Sequence, residues 1–290
     1  MDLVNPAALE KYRFSKALRP FSFPVAIIAC LVGIAAAYAD GYWNLGSVSL
    51  ILVAGVLLQA GVNLINDHAD LPLLTGSDPL LQLSRDRVRF NFKVGMLCFL
   101  IAAVIGFYLI TIAGLSLLLI SVVGLLGALG YTVAPINYKN RGLGVIMVFW
   151  LMGVLMITGS YIAVGAPFDW SIVWLSLPIS CLVSLLLLSN ELRDYERDID
   201  DGLSTLTVRL GYQSSVWIYW SLLVSALAIS IVLALLGYLS HIWLLLFVLL
   251  LLPQPFRLLQ AKAADRKGLT PATARILLGF GTVFCLLILL

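Results

Sequence analysis

Charge is scarce in this chain of 290 residues. Only 11% are charged, with 18 Lys and Arg against 15 Asp and Glu, and there are two histidines. The four cysteines, Cys30, Cys98, Cys181 and Cys285, form no CxxC pair and each falls inside a long apolar run. That spacing excludes a zinc or redox motif and leaves them as packing residues. No Gly-rich loop followed by Lys-Ser/Thr is present, which argues against nucleotide phosphates. No dense basic run stands apart from the apolar segments, so nucleic acid is not an expected partner. The first 22 residues carry charges throughout and lack the apolar core and small-residue site of a cleaved signal.

What fills the chain is hydrocarbon: 61% of residues are hydrophobic and the mean hydropathy is +1.03. That composition belongs to an integral membrane protein. Scanning for runs of about 20 apolar residues gives about nine spans, at 24–43, 46–65, 95–113, 115–133, 143–164, 170–189, 213–236, 240–258 and 272–290. The runs are continuous, not alternating, which favours helices over a β-barrel. The expected fold is an all-α, polytopic membrane bundle of nine transmembrane helices forming one domain over 1–290. Residues 1–22 make an interfacial N-terminal segment, in which Asn5-Pro6 can start a helix.

With nine spans, all 18 Lys and Arg fall on one face. The positive-inside rule makes that face cytoplasmic, with the N-terminus on the same side and the cytoplasmic membrane as the location. Such a one-sided basic surface suits anionic lipid headgroups and phosphates. The connections on this face are also the longer ones, at 66–94 and 190–212, and they carry two clusters of Asn and Asp.

Carboxylates beside hydrocarbon are costly, and two groups of them on one face are expected to serve a purpose. The first cluster runs Asn63-Leu-Ile-Asn66-Asp67-His68-Ala69-Asp70; the second runs from Asn190 through Arg193 and Asp194 to Asp198. Asn190, Asp194 and Asp198 are spaced i, i+4, i+8, which stacks them along one helical stripe, and Asn66 and Asp70 share the i, i+4 relation. Oxygen ligands in that pattern suit Mg2+, which takes one or two carboxylates and completes its shell with water and phosphate oxygens. Asn66, Asp67, Asp70, Asn190, Asp194 and Asp198 are therefore the candidate metal ligands. Of these, Asp67, Asp70, Asp194 and Asp198 are the candidate catalytic residues. Asn63, Asn66, Tyr131, Lys139, Arg141, Asn190, Arg193 and Arg209 are the candidate diphosphate-binding residues, with Arg as a fork and Lys as a point charge. Asp200 and Asp201 before Gly202 read as turn residues. The roles of His68 and Asp78 stay open. A cation transporter, with the clusters as ion sites, is the alternative of another class.

These residues resemble the UbiA superfamily of intramembrane prenyltransferases, whose members have nine transmembrane helices and two aspartate-rich motifs. Asn190, Asp194 and Asp198 match the second motif, Asn-x-x-x-Asp-x-x-x-Asp. The tract NELRDYERDIDDGLSTLTVRLG, from Asn190 to Gly211, and QAGVNLINDHAD, from Gln59 to Asp70, look most like the branch that prenylates 1,4-dihydroxy-2-naphthoate in menaquinone biosynthesis. Gly76-Ser77-Asp78, Ala17-Leu18-Arg19-Pro20 and Tyr131-Thr132 with Arg141-Gly142-Leu143-Gly144 are similar to further stretches of that branch. The chain departs from it at Leu74, at Leu203-Ser204 and at Val145. The resemblance implies Mg2+-dependent transfer of an isoprenyl group from a polyprenyl diphosphate to an aromatic acceptor, within membrane lipid. Other acceptors stay open: 4-hydroxybenzoate, homogentisate, a chlorin or haem, or a lipid glycerol phosphate.

Overall fold

The computed structural model describes residues 9–132 and 138–290, and among these it contains helices and no strand. The helix start at Asn5-Pro6 lies outside the described residues. The long helices are α1 (Phe23–Ala39), α2 (Leu45–Asn66), α3 (Pro79–Ala113), α4 (Leu115–Thr132), α5 (Gly144–Ala163), α6 (Trp170–Arg193), α9 (Tyr212–Leu235) and α11 (Leu269–Leu289). Between α6 and α9 lie two short helices, α7 (Tyr195–Asp200) and α8 (Leu206–Leu210). A 3-10 segment, Ile242–Leu251, leads into α10 (Pro253–Leu259) with a bend of 44°. Pro253 and Pro255 offer no N–H to the preceding turn, which is a sufficient cause for a break at this point.

The expected count of nine spans is not reproduced as such. Among the described residues seven helices are long and apolar enough to cross a membrane, or eight if the bent pair is one span. The run expected at 115–133 is helical over Leu115–Thr132, of which Leu115–Ala128 is counted among the described residues as a shorter apolar helix. The run expected at 95–113 is the far half of a 35-residue helix, which begins at Pro79 with Asp78 as its cap: the Asp78 carboxylate accepts the Leu80 N–H at 2.7 Å. Its first half is charged on the outside, with Arg85, Asp86, Arg87 and Arg89, so no hydropathy scan finds it.

α1, α6 and α11 make the centre. α1 packs on α5 and α11, α6 packs on α9 and α11, and α2 pairs with α3 on the flank. α1 is poor in bulk, with Ala26, Ala29, Ala35, Ala36 and Ala37 all buried. Small side chains let helices approach closely where no hydrophobic drive separates protein from lipid. Gly33 marks the tightest approach: a Cβ there would overlap the Ile157 carbonyl oxygen and lie 2.8 Å from Ser160 Cβ and 2.9 Å from the Tyr161 nitrogen. On the other side, α11 sends Phe280 and Phe284 inward, stacked with ring centroids 6.0 Å apart and both fully buried. Tyr219 of α9, also fully buried, meets Thr273 Oγ at 2.8 Å through its hydroxyl. The four cysteines are free, as expected of packing residues.

Gly33→Ala is expected to lower stability by about 1–3 kcal/mol, because the obstructing atoms are backbone of α5 and cannot turn away. The check is the thermal midpoint of the purified protein in detergent. An unchanged midpoint would mean that α1 and α5 are not held at this separation.

Candidate active site

Both Asn/Asp clusters lie at the end of the bundle where α2 and α6 finish and α1 and α11 begin. Their local geometry differs. α6 ends at Arg193, yet the i, i+4 backbone bonds run on through the break. Asp194 N–H donates to the Asn190 carbonyl at 3.0 Å, and Asp198 N–H donates to the Asp194 carbonyl at 2.8 Å. The expected stripe of Asn190, Asp194 and Asp198 thus survives the change of helix. In the first cluster the helix tightens: α2 stops at Asn66, and Asp67–Leu73 is a 3-10 helix. Three residues per turn bring i and i+3 into line. Asp67 and Asp70 therefore stack, replacing the expected stack of Asn66 on Asp70, and their carboxylates lie close enough to repel each other.

Asp67, Asp70 and Asp194 each carry a cation. Asp67, only 5% exposed, accepts Arg19 Nη2 at 2.8 Å. With its amide oxygen turned to the same guanidinium, Asn66 accepts Arg19 Nη1 at 2.6 Å and Nη2 at 3.1 Å. Asp70 accepts Lys11 Nζ at 2.8 Å and the Tyr12 hydroxyl at 3.1 Å. Burial, together with Asp70, pushes the Tyr12 hydroxyl pKa upward, so it stays a donor. Asp194 is gripped by Arg193, with Nε at 2.9 Å and Nη2 at 2.6 Å, and by Arg197 Nη2 at 2.7 Å. Burial opposes ionisation there, but the two guanidinium groups outweigh it and hold the Asp194 carboxyl below the usual carboxylate range.

One turn joins the clusters. Arg19-Pro20-Phe21-Ser22 leads into α1, with Arg19 on Asp67 at one side and the Phe21 ring 5.8 Å from the Arg193 guanidinium at the other. Asn63 donates to Ser22 Oγ and to the Leu18 carbonyl, both at 2.7 Å, and Gln59 donates to Ser22 Oγ at 3.1 Å. Arg19 has φ 47°, in the left-handed region. A non-glycine residue held there costs on the order of 1–3 kcal/mol and persists only where its surroundings over-determine it. Asp67 and Asn66 supply that hold.

Further side chains fix the loops around the site. Asn190 accepts the Thr270 hydroxyl at 2.8 Å, and Arg193 Nη1 donates to Thr270 at 3.1 Å, which ties the second cluster to α11. Glu191, buried, accepts the Thr207 N–H at 3.0 Å and its hydroxyl at 3.3 Å. Arg209 donates to the Ser204 carbonyl at 3.0 Å and to the Asn140 carbonyl at 3.1 Å, so it staples the second cluster's loop to Tyr138–Arg141. Arg141 is exposed on that loop. The side chains of Tyr131 and Lys139 lie outside the described residues. His68 packs on Phe92 with ring centroids 4.2 Å apart and the planes tilted by 35°. Arg19, Lys11, Tyr12, Glu191 and Thr270 were not expected at the site. The one signal for Arg19 was its place: a cation next to proline, directly before the first span.

The donor set fits a divalent cation. Among the described residues no group of three His, Cys, Asp or Glu side chains converges. The acids fall in two pairs: Asp67 and Asp70, one 3-10 turn apart with a cation each, and Asp194 and Asp198, where Arg197 Nη2 stands 2.7 Å from one carboxylate and 3.9 Å from the other. A positive group already sits between those two carboxylates. Carboxylates one or two at a time, with open valence left for phosphate, are what magnesium takes.

The UbiA prenyltransferase family model matches residues 26–279. A 1,4-dihydroxy-2-naphthoate octaprenyltransferase of Mycobacterium leprae is 31% identical over 230 residues, covering 74% of this chain and 75% of the relative. One of Haemophilus influenzae is 32% identical over 217 residues, covering 69% and 70%. The solved structure of a UbiA homolog from Archaeoglobus fulgidus bound to GPP and Mg2+ superposes with a TM-score of 0.63 over 95% of this chain and 99% of its own, at 16% identity. At that identity the likeness speaks for the fold alone.

The Arg19–Asp67 pair generates a test. Arg19→Gln strands a buried carboxylate and is expected to cost about 2 kcal/mol, discounted for the partial exposure of the guanidinium. Asp67→Asn on that background should restore most of the loss, because the stranded charge is gone. Thermal midpoints of the four proteins of this cycle measure the coupling, and a value near zero would sink the pairing.

Proposed function

The chain belongs to the UbiA prenyltransferase family, and from that premise we propose that it transfers an isoprenyl group from a polyprenyl diphosphate to 1,4-dihydroxy-2-naphthoate. The observation that carries this reading is the pair of acidic clusters joined through Arg19–Ser22 at one end of an apolar bundle. It is supported by naphthoate octaprenyltransferases at about 30% identity.

Asp67 and Asp70, with Asn66, would hold magnesium on one side, and Asp194 and Asp198, with Asn190, on the other. Magnesium, when bound, neutralises the charge that builds on a departing diphosphate. The chain's own residues do the rest. Arg193 and Arg197, which grip Asp194, would also offer N–H groups to diphosphate oxygens. Lys139 and Arg141 approach the diphosphate from the loop that Arg209 staples in place. Thr270 keeps Asn190 and Arg193 in register with α11. The apolar walls exclude water, so the allylic cation left by C–O cleavage survives to meet the acceptor. The acceptor's ring carbon that bears the carboxylate attacks this cation. The new C–C bond forms, the carboxylate leaves as CO2, and its electron pair restores the ring.

The test is a panel of acceptors incubated with labelled polyprenyl diphosphate and membranes containing the protein. Labelled product is expected with 1,4-dihydroxy-2-naphthoate and is expected to vanish on chelation of divalent cations. Product with 4-hydroxybenzoate or homogentisate instead would overturn the acceptor and leave the enzyme class standing. Asp67→Asn and Asp194→Asn are each expected to reduce turnover by roughly a hundredfold or more while the thermal transition persists. Normal turnover in either variant would remove that residue from the site.

A further inference from the structure

The basic residues near the end of the chain are not used by the site just described. Arg257, Lys262, Arg266, Lys267 and Arg275 follow one another with a single acid, Asp265, among them. Arg266 is accounted for: it is buried, pairs with Glu196 at 2.9 Å and lies over the Tyr212 ring at 4.0 Å. Arg257 and Arg275 have no carboxylate partner among the described residues. Both open onto the same groove, a cavity of about 450 Å³ on the outside of the bundle between the bent pair and α11.

We propose that this groove binds an anionic phospholipid, with the phosphate held between Arg257 and Arg275 and an acyl chain lying along Leu250, Leu251 and Leu258. Three observations carry it. Arg275 is exposed, yet it lies within an apolar helix, between the buried Ala274 and Ile276. Its only described hydrogen bond is a long one, from Nε to the Pro271 carbonyl at 3.4 Å, which leaves the fork of the guanidinium open. An exposed guanidinium beside hydrocarbon is costly until it reaches a phosphate.

The groove also changes character along its length. Arg257, Arg275 and Gln254 line it together with Leu250, 77% exposed, Leu251 and Leu258. A free phosphate has no use for the apolar half, and a neutral glyceride has none for the two cations. Finally, the bend of 44° before Pro253 tilts α10 out of line with Ile242–Leu251, which places Leu250 and Arg257 on the two limbs of one kinked element. Attraction to anionic lipid is worth about 1 kcal/mol per basic residue near the surface. Two converging arginines therefore separate a defined site from the general basic face.

The test is native mass spectrometry of the intact protein in detergent, titrated with phosphatidylglycerol. Arg257→Gln/Arg275→Gln is expected to weaken binding about tenfold or more, and Lys262→Gln/Lys267→Gln, with the same change of charge, to leave it within a few-fold. Arg257→Lys/Arg275→Lys keeps both charges and should retain most of the affinity. On the unaltered protein, neither diacylglycerol nor millimolar inorganic phosphate should displace the lipid. Equal binding by the Gln pair and the unaltered protein overturns the proposal. So does an equal loss in the Lys262/Lys267 pair, which would mean diffuse attraction, or a loss in the Lys pair as deep as in the Gln pair, which would mean damage to the fold. Displacement by inorganic phosphate would mean an anion site without a lipid, and displacement by diacylglycerol an apolar one.

Discussion

The charged end of this protein depends on one constraint: a carboxylate removed from water beside hydrocarbon must be neutralised. An isolated buried charge costs several kcal/mol or more, so it shifts its protonation or finds a partner. The chain finds partners. Asp67, 5% exposed, takes Arg19, and Asp194 takes Arg193 and Arg197. These are not surface ion pairs of negligible worth. They are short, their carboxylates are largely buried, and removing the cation leaves the carboxylate with little water to turn to.

That constraint also sets the shape of the turn into α1. Arg19 reaches Asp67 and Asn66 from a left-handed backbone position directly before proline, where most residues would extend. The bend delivers Phe21 to Arg193 and Ser22 to Asn63 and Gln59. Three of four consecutive residues, Arg19, Phe21 and Ser22, thereby touch the ends of α2 and α6, which are far apart in sequence. The small-residue face of α1 makes this possible, since Ala and Gly let α5 and α11 close around it and fix the height of the turn. A single covalent stretch thus couples packing at the bundle centre to the spacing of the two acidic clusters.

Much of this was legible in the sequence, and the failures have physical causes. Hydropathy found the runs because continuous apolar stretches have no other use, but it lost the first half of α3, where Asp86 and Arg89 are exposed on a helix that simply continues. It counted 240–258 as an ordinary span, whereas that element is broken at Pro253. Spacing correctly stacked Asn190, Asp194 and Asp198, because backbone bonds bridge the break at Asp194. The same spacing misplaced Asn66 against Asp70, because a 3-10 turn changes the period from 3.6 to 3.0 and nothing local but Pro72 announces it. Arg19, Lys11 and Thr270 were missed because their partners lie 48, 59 and 80 positions away, and no periodicity carries such a distance.

The 18 basic residues looked alike when they were counted to orient the chain. The structure sorts them by what they neutralise. Lys11, Arg19, Arg193, Arg197 and Arg266 are committed to carboxylates. Arg85 and Arg209 are committed to carbonyls: Arg85 donates to those of Leu74 and Gly76 at 2.9 and 3.0 Å and so pins the loop after the first cluster. Arg257 faces outward with neither kind of partner described, and Arg275 faces outward with one long bond, from Nε to the Pro271 carbonyl at 3.4 Å. Apart from Arg266, which is paired with Glu196, the first class could exchange a carboxylate for a phosphate only if another cation took the carboxylate's charge, as the proposed reaction requires. The second class cannot move without unfastening a loop. The third is already free to meet an anion from outside, and the only abundant anion along a membrane-facing groove is the headgroup of a lipid. The same residue type therefore stands beside an acid, beside loop carbonyls or open to the outside, and in the readings proposed above these three settings correspond to catalysis, scaffold and membrane contact.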